Sequence, residues 1–132
     1  MKSEKGQSLV EFALILPILL VLLFGIVDFA RAYHVFLTLD HAGREVARLI
    51  SIGGEEEAIN QKISSSIGAL DSTKLKIEYP NGKTNLASGT EAKVILTYTF
   101  TFITPLVSLL DAFFNTEFSE PPITDTTVMW VE

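Results

Sequence analysis

Cysteine is absent from the 132 residues, and histidine occurs only twice. The lack of cysteine excludes disulfides, iron–sulfur clusters, thiolate-bound zinc and a cysteine nucleophile. His34 and His41 are two helical turns apart, about 10.5 Å, so one metal ion cannot bind both. The sequence also lacks the Gly-x-Ser-x-Gly motif of serine hydrolases and a glycine-rich phosphate loop. We therefore expect no enzymatic activity, no metal and no cofactor.

Basic residues are scarce in the second part of the chain. The formal net charge is −6, and residues 54–132 carry all of it, with 5 lysines and 11 acidic residues, whereas residues 1–53 are balanced. Nucleic-acid binding needs a basic face that matches the phosphates. The sequence therefore argues against a nucleic-acid partner and indicates an acidic, solvated surface.

Charge is also missing from Phe12 to Val27, a run of 16 mostly apolar residues. As a helix this run is about 24 Å long, and the apolar residues in front of it bring it close to the ~30 Å of a bilayer core. A secretory signal would end in a small-residue cleavage site on the far side of such a run, but here the helical pattern simply continues from residue 28. We expect a transmembrane helix at residues 7–28 that is retained in the mature protein.

The residues in front of this helix form a second pattern. Residues 1–6 are polar and end in Gly6, and Glu11 follows five residues later. This arrangement resembles a prepilin leader, and with later positions it resembles the TadE-like family of pseudopilins over roughly the first 50 residues. The positions that carry the resemblance are Gly6, Glu11, Phe12, Pro17, the Phe24-Gly25-Ile26-Val27-Asp28 exit, Arg31 and the Ala42-Gly43-Arg44-Glu45-Val46-Ala47-Arg48 stretch.

The resemblance implies that residues 1–6 are a cytoplasmic leader, which a prepilin peptidase removes by cutting between Gly6 and Gln7. It also implies that Glu11, Phe12 and Pro17 act in recognition and assembly. In this interpretation Glu11 pairs with the new amine on Gln7 of a neighbouring subunit, because a carboxylate at the edge of hydrocarbon is costly unless it is paired.

The same resemblance implies a minor pseudopilin that helps to assemble a tight-adherence type IV pilus, a filament of cell adhesion and biofilm formation. Its partners would be the prepilin peptidase, other pilins or pseudopilins, the inner-membrane assembly platform and membrane lipid. It would be a single-pass protein of the cytoplasmic membrane, with a cytoplasmic N-terminus and an exported C-terminal domain, incorporated in the pilus or placed at its base. Two alternatives stay open: a main filament subunit, and an uncleaved single-pass anchored domain that binds a ligand or partner.

Two of these residues also have a local interpretation. Ser8-Leu9-Val10-Glu11 fits a capping box, in which Ser8 is the N-cap and the Glu11 side chain reaches back to its amide. Pro17 removes a backbone donor and leaves the carbonyl of Ala13 without its partner, which predicts a bend or a melted turn. In a pilin-like protein this weak point would help the subunit to leave the bilayer.

The helix is expected to continue beyond the membrane as an amphipathic segment, residues 29–53. Apolar residues recur there at spacings of three and four, and Gly53-Gly54 should end the helix at Ser51 or Ile52. The expected buried positions are Val35, Leu39, Ala42, Val46 and Leu49. A helix of this length is twice what a membrane needs, so its second half must be covered by the rest of the chain.

Residues 54–132 are expected to form a small exported α+β domain. Glu55-Glu56-Glu57 opens a second helix with an isoleucine stripe that ends before Asp71. Alternating apolar and polar residues predict strands at 75–79, 93–102 and 123–131. The predicted fold is α+β: a long helix with transmembrane and amphipathic halves, a second helix, and a three-stranded antiparallel sheet packed on the outer half of the long helix.

A short apolar helix is predicted between the last two strands. Thr104 and Pro105 fit the N-cap and first helical position, and residues 106–114, with Phe118 after them, are more apolar than a linker needs to be. This segment either covers the second face of the sheet or provides a docking surface for another subunit. The sequence does not separate these two roles.

Overall fold

The computed structural model describes residues 2–115 and 120–132, so Met1 of the expected leader and Phe118 lie outside the described residues. The elements in chain order are α1 (Lys2–Ser51), α2 (Glu56–Ile67), a single 3₁₀ turn (Ser72–Lys74), β1 (Leu75–Glu78), β2 (Glu91–Thr99), α3 (Leu106–Phe114) and β3 (Pro122–Trp130). A long N-terminal helix, two further helices and a three-stranded antiparallel sheet make this an α+β fold. The predicted fold class is confirmed.

The chain divides into two compact units. The first unit contains Met1–Arg31 and Phe102–Ser119, and the second contains Ala32–Thr101 and Glu120–Glu132. Helix α1 therefore contributes to both units, and α3 belongs to the first. From the sequence, α3 was expected within residues 54–132, either covering the sheet or serving as a docking surface for another subunit. The division groups it with the first 31 residues of the chain.

Helix α1 passes through the whole first part of the chain without a break. Among the described residues it is the one helix long and apolar enough to cross a membrane, judged by length and composition. Residues on both sides of Pro17 stay helical, so the melted turn predicted there is absent. The helix also begins at Lys2, so the described part of the expected leader is helical and not irregular.

The core of the second unit lies between the end of α1, helix α2 and the sheet. Leu39, Ala42 and Val46 of α1 are completely buried, as the helical spacing predicted. Leu49 is only half-buried, and Ala47 and Ile50 take the place in the core that was expected for it. The isoleucine stripe of α2 is buried at Ile59, Ile63 and Ile67.

Strand β2 is the centre of the sheet, whose order is β1-β2-β3. Its alternate residues Ala92, Val94, Leu96 and Tyr98 are buried, which is the period of two that predicted a strand with one face in the core. β2 pairs with β1 from Leu75↔Tyr98 to Glu78↔Ile95 and with β3 from Glu91↔Trp130 to Thr99↔Pro122, in both cases antiparallel.

Gly43 allows β3 to approach α1 closely. A methyl group built on Gly43 would lie 2.7 Å from Thr127 Oγ1 and 2.9 Å from Asp125 Oδ2, shorter than any normal contact. A hydrogen atom is thus all that fits between this turn of α1 and the strand. The observation gives a packing reason for the glycine in the stretch from Ala42 to Arg48.

Candidate processing and assembly site

The expected cleavage point, the peptide bond between Gly6 and Gln7, lies inside α1 in the second turn of the helix. Both residues are exposed. No atom lies within 4 Å of the position that a Cβ on Gly6 would take. A side chain at Gly6 therefore disturbs nothing in the folded chain, and any effect of placing one there must act on a partner that approaches the backbone.

Glu11 is exposed one helical turn after Gln7. The side-chain amide Nε2 of Gln7 donates a hydrogen bond to Glu11 Oε1 at 3.3 Å. Ser8 does not act as an N-cap, because the helix begins six residues earlier and the Ser8 hydroxyl donates to the carbonyl of Glu4 at 3.2 Å. The capping-box interpretation is therefore wrong for the uncut chain, and the Glu11 carboxylate keeps acceptor capacity for another partner.

Phe12 and Pro17 lie on a largely exposed apolar surface of α1. Phe12 is 61% exposed, Pro17 is exposed, and Leu14 and Ile18 are 69% and 72% exposed. A helix that exposes this many apolar side chains is suited to lipid or to other apolar helices, and not to water.

Asp28, at the end of the apolar run, is buried, with 2% of its surface exposed. Its carboxylate accepts hydrogen bonds from the Thr104 hydroxyl and, at 3.4 Å, from the backbone N–H of Ile103. Arg31 Nη1 lies 3.5 Å from Asp28 Oδ1. The chain that leads into α3 is thereby fixed to α1 at the end of the apolar run.

Thr104 therefore has a different role from the predicted one. The N-cap of α3 is Pro105, which makes no side-chain hydrogen bond to the helix. The hydroxyl that sequence reasoning assigned to helix capping binds the Asp28 carboxylate instead. Sequence reasoning missed this contact, because 76 residues separate the two partners and the only signal was a charge at the edge of an apolar segment.

Two apolar grooves run between α3 and the apolar part of α1. One has a volume of about 490 Å³ and is lined by Val21, Leu22, Gly25, Ile26, Phe29, Leu106 and Leu110. The other has a volume of about 480 Å³ and is lined by Pro17, Ile18, Val21, Leu109, Leu110, Phe113 and Phe114. No charged side chain of the described residues lines either groove.

The second unit offers no comparable chemical site among the residues that the structure describes. His34 and His41 are exposed, and no group of three or more potential metal ligands occurs in the described part of the chain. A pocket of about 530 Å³ beside Trp130 is lined mainly by loop residues from Asn81 to Glu91.

The shifted pKa values in this unit have structural causes. A hydrogen bond and the charge of Lys62 lower the pKa of Glu45, and hydrogen bonds from Thr73 lower the pKa of Asp71. Burial raises the pKa of Tyr79. Glu45 lies in α1, Asp71 directly before the 3₁₀ turn and Tyr79 directly after β1. They do not share a pocket that the structure describes.

Comparison with known proteins gives one match. Residues 6–48 match the family model described as TadE-like protein. No curated protein and no solved structure matches the chain. The matched segment begins at Gly6, contains Glu11, Phe12 and Pro17, and ends at Arg48. The resemblance stated from the sequence is thus confirmed for residues 6–48, most of helix α1, which match the TadE-like family model.

Proposed function

We propose that the chain is a minor pseudopilin-like membrane protein that takes part in the assembly of a tight-adherence type IV pilus. The observation that carries this proposal is the TadE-like match over residues 6–48. Its support from the structure is the arrangement of Gly6 and Glu11 on an exposed stretch at the start of an apolar helix. The protein acts through contacts with other subunits and performs no chemistry of its own.

We further propose that a prepilin peptidase cuts between Gly6 and Gln7. The bond lies in a helix, so the first turns must unwind before a peptidase reaches it. Glycine lowers the cost of unwinding, because it is less favourable in a helix interior than alanine by about 1 kcal/mol. Its missing side chain also allows close approach to the backbone. The N-terminus then lies on the cytoplasmic side, and the second unit is exported.

Cleavage gives Glu11 a new environment. The helix that remains starts at Gln7, so Ser8 reaches the position of an N-cap and Glu11 lies three residues after it. The same carboxylate is then within reach of the amine on Gln7 of a neighbouring subunit. Local capping and pairing between subunits both become possible only after the leader is removed.

A pair of glycine variants tests the cleavage. Gly6 and Gly25 both lie in α1, and a Cβ at either position meets no atom within 4 Å, so Gly6→Val and Gly25→Val are matched in the folded chain. The intact mass of the protein from its native membrane should show loss of residues 1–6 in the parent and in Gly25→Val, and retention of these residues in Gly6→Val.

Two results would contradict the proposal. If Gly6→Val is trimmed as fast as the parent, the bond is not recognised through its glycine. If the parent keeps residues 1–6 in a membrane that contains an active prepilin peptidase, the alternative of an uncleaved anchored domain is favoured.

A further inference from the structure

We propose that α3 is a second membrane-embedded helix, which re-enters the bilayer beside α1, and that lipid acyl chains fill the two grooves between the helices. The proposal depends on α1 spanning a membrane and is independent of any role in a pilus. It changes the topology of the protein from one embedded helix to one spanning helix with a re-entrant companion.

The first observation is that the sheet does not need the segment that contains α3. The backbone N–H of Phe100 donates to the carbonyl of Pro121 at 3.2 Å, and Thr99 pairs with Pro122. Strands β2 and β3 thus come together at their ends as a hairpin does. The residues between them form an excursion that leaves the second unit and joins the first.

The second observation is the direction and depth of this excursion. The start of α3, at Leu106, lines a groove with Gly25 and Phe29, whereas its end, at Phe113, lines a groove with Pro17. Helix α3 therefore runs antiparallel to α1. Pro17 is eleven residues before Asp28, a rise of about 16 Å. That is about half of the ~30 Å hydrocarbon core, so the end of α3 reaches the middle of the bilayer.

The third observation is the fixed connection at the outer end of the apolar run. The contacts of Asp28 with Thr104 and with the backbone of Ile103 hold the entry of α3 against α1. Helix α3 and residues 17–29 of α1 belong to one compact unit. The environment that surrounds residues 17–29 therefore surrounds α3 as well.

The surface of α3 agrees with a lipid environment. Seven of its nine residues are apolar, and Phe113 and Phe114 at its deep end are 73% and 69% exposed. In water these rings would form an exposed apolar patch together with the open surface of α1. In a bilayer the same rings are solvated by acyl chains.

Glu117, which follows α3 in the sequence, and Asp111 oppose insertion, because charged side chains are costly inside a membrane. Asp111 is part of α3 itself. One of its carboxylate oxygens is already enclosed by protein, and it has no hydrogen-bond partner among the described residues. A carboxyl group that is shielded from solvent in this way depends less on water than an open one.

The absence of cysteine from the chain allows a direct test with single-cysteine variants of the full-length protein. Phe113→Cys probes the end of α3, Leu14→Cys probes the exposed face of α1, and Thr126→Cys probes an exposed position of β3. Each variant is labelled with bimane and reconstituted alone into phosphatidylcholine vesicles. The measurement is fluorescence quenching by lipids brominated on their acyl chains, compared with quenching by aqueous iodide.

We expect brominated lipid to quench Phe113→Cys within about twofold of Leu14→Cys and at least about fivefold more than Thr126→Cys, with iodide giving the reverse order. Strong iodide quenching of Phe113→Cys would show that α3 lies in water and would overturn the proposal. Weak quenching by both agents would show that protein covers α3, for example a second copy, and would overturn it as well. A second probe, Phe114→Cys, guards against a local defect at one position.

Discussion

At the scale of single residues, Glu11 is the position where a helix cap and a contact between subunits can be separated. Glutamine replaces glutamate in a capping box, but it cannot neutralise an amine. We expect Glu11→Gln to insert and fold normally and yet to impair pilus assembly nearly as much as Glu11→Ala. The measurement is the amount of sheared filament, with the membrane level of each variant as control.

The opposite pattern would remove the proposed role of Glu11. Normal filaments with Glu11→Gln and loss only with Glu11→Ala would assign the residue to helix capping. Gln7→Leu adds a useful comparison, because it removes the 3.3 Å hydrogen bond to Glu11 without changing the charge. It should assemble like the parent if only the carboxylate matters.

Gly43 provides the second residue-scale prediction. A Cβ would lie 2.7 Å from Thr127 Oγ1, so Gly43→Ala should lower the free energy of unfolding by about 1–3 kcal/mol, the usual cost of overpacking. Gly25→Ala is the control, and it should be neutral or stabilising by up to about 1 kcal/mol because alanine is the better helix former. Denaturant unfolding can be followed by the fluorescence of Trp130, the single tryptophan.

Adding Thr127→Ala to Gly43→Ala removes one of the two close atoms and should recover part of the lost stability. An unchanged unfolding midpoint in Gly43→Ala would mean that β3 does not approach α1 as closely as the structure has it.

At the scale of elements, the ion pair between Lys62 of α2 and Glu45 of α1, 3.1 Å long, connects two helices. The pKa of Glu45 is lowered mainly by Lys62. Stabilisation from a lowered pKa is present above the ordinary glutamate pKa of about 4.3 and is lost as the pH falls through the lowered value. Lys62→Met should therefore be less stable than the parent at pH 7. This difference in stability should shrink as the pH falls below the ordinary glutamate pKa and through the lowered pKa of Glu45.

The difference should be small, because both side chains are partly exposed and water screens their attraction. His41 and Arg48 also act on Glu45, so some pH dependence remains in the variant. Lys76→Met, which breaks a more exposed pair within β1, is the matched control and should show a smaller effect. If the difference in the free energy of unfolding between the parent and Lys62→Met stays constant from pH 7 to pH 3, the Lys62–Glu45 pair is not its cause.

Elements were predictable from the sequence where a repeating pattern defines them. The alternation from Val94 to Tyr98 predicted β2, and the spacing from Val35 to Val46 predicted the buried side of α1. The elements against which each of them packs were not predictable to the same degree. The apolar residues of α3 indicate an apolar environment, but the sequence left open whether the sheet or another subunit provides it, and it did not point to α1.

Polar residues were harder to interpret, because each has several local uses. Ser8 and Thr104 both fit the pattern of an N-cap, and neither caps a helix in the structure. The role of Thr104 depends on Asp28, and no local pattern connects the two. Of the candidate site, the sequence predicted the residues on α1, whereas it did not predict the contact that brings α3 to them.

At the scale of the whole molecule, the division into two units predicts which fragments fold. A fragment of residues 32–132, with residues 102–119 replaced by a short turn, should be a soluble monomer that unfolds cooperatively. Phe100 and Pro121 are already joined by a 3.2 Å hydrogen bond, so a hairpin turn can close the gap. Size-exclusion chromatography and thermal denaturation would check this.

Two further fragments complete the comparison. Residues 54–132 with the same turn lack Leu39, Ala42 and Val46, which are fully buried, and burial of a leucine or valine contributes about 1.5–3 kcal/mol. This fragment should not fold cooperatively. Residues 32–132 with α3 retained should aggregate, because α3 has lost the apolar part of α1. Equal behaviour of all three would refute the division.

Because β2 is the central strand of the sheet, the order of synthesis decides when each of its two edges finds a partner. β1 offers it a partner of only four residues, and the nine-residue β3 comes after α3 in the chain. A chain threaded outward from its N-terminus would thus expose an open edge of β2 until α3 has settled and β3 has emerged. A chain that stops within this interval would leave that edge of β2 without the partner that β3 provides.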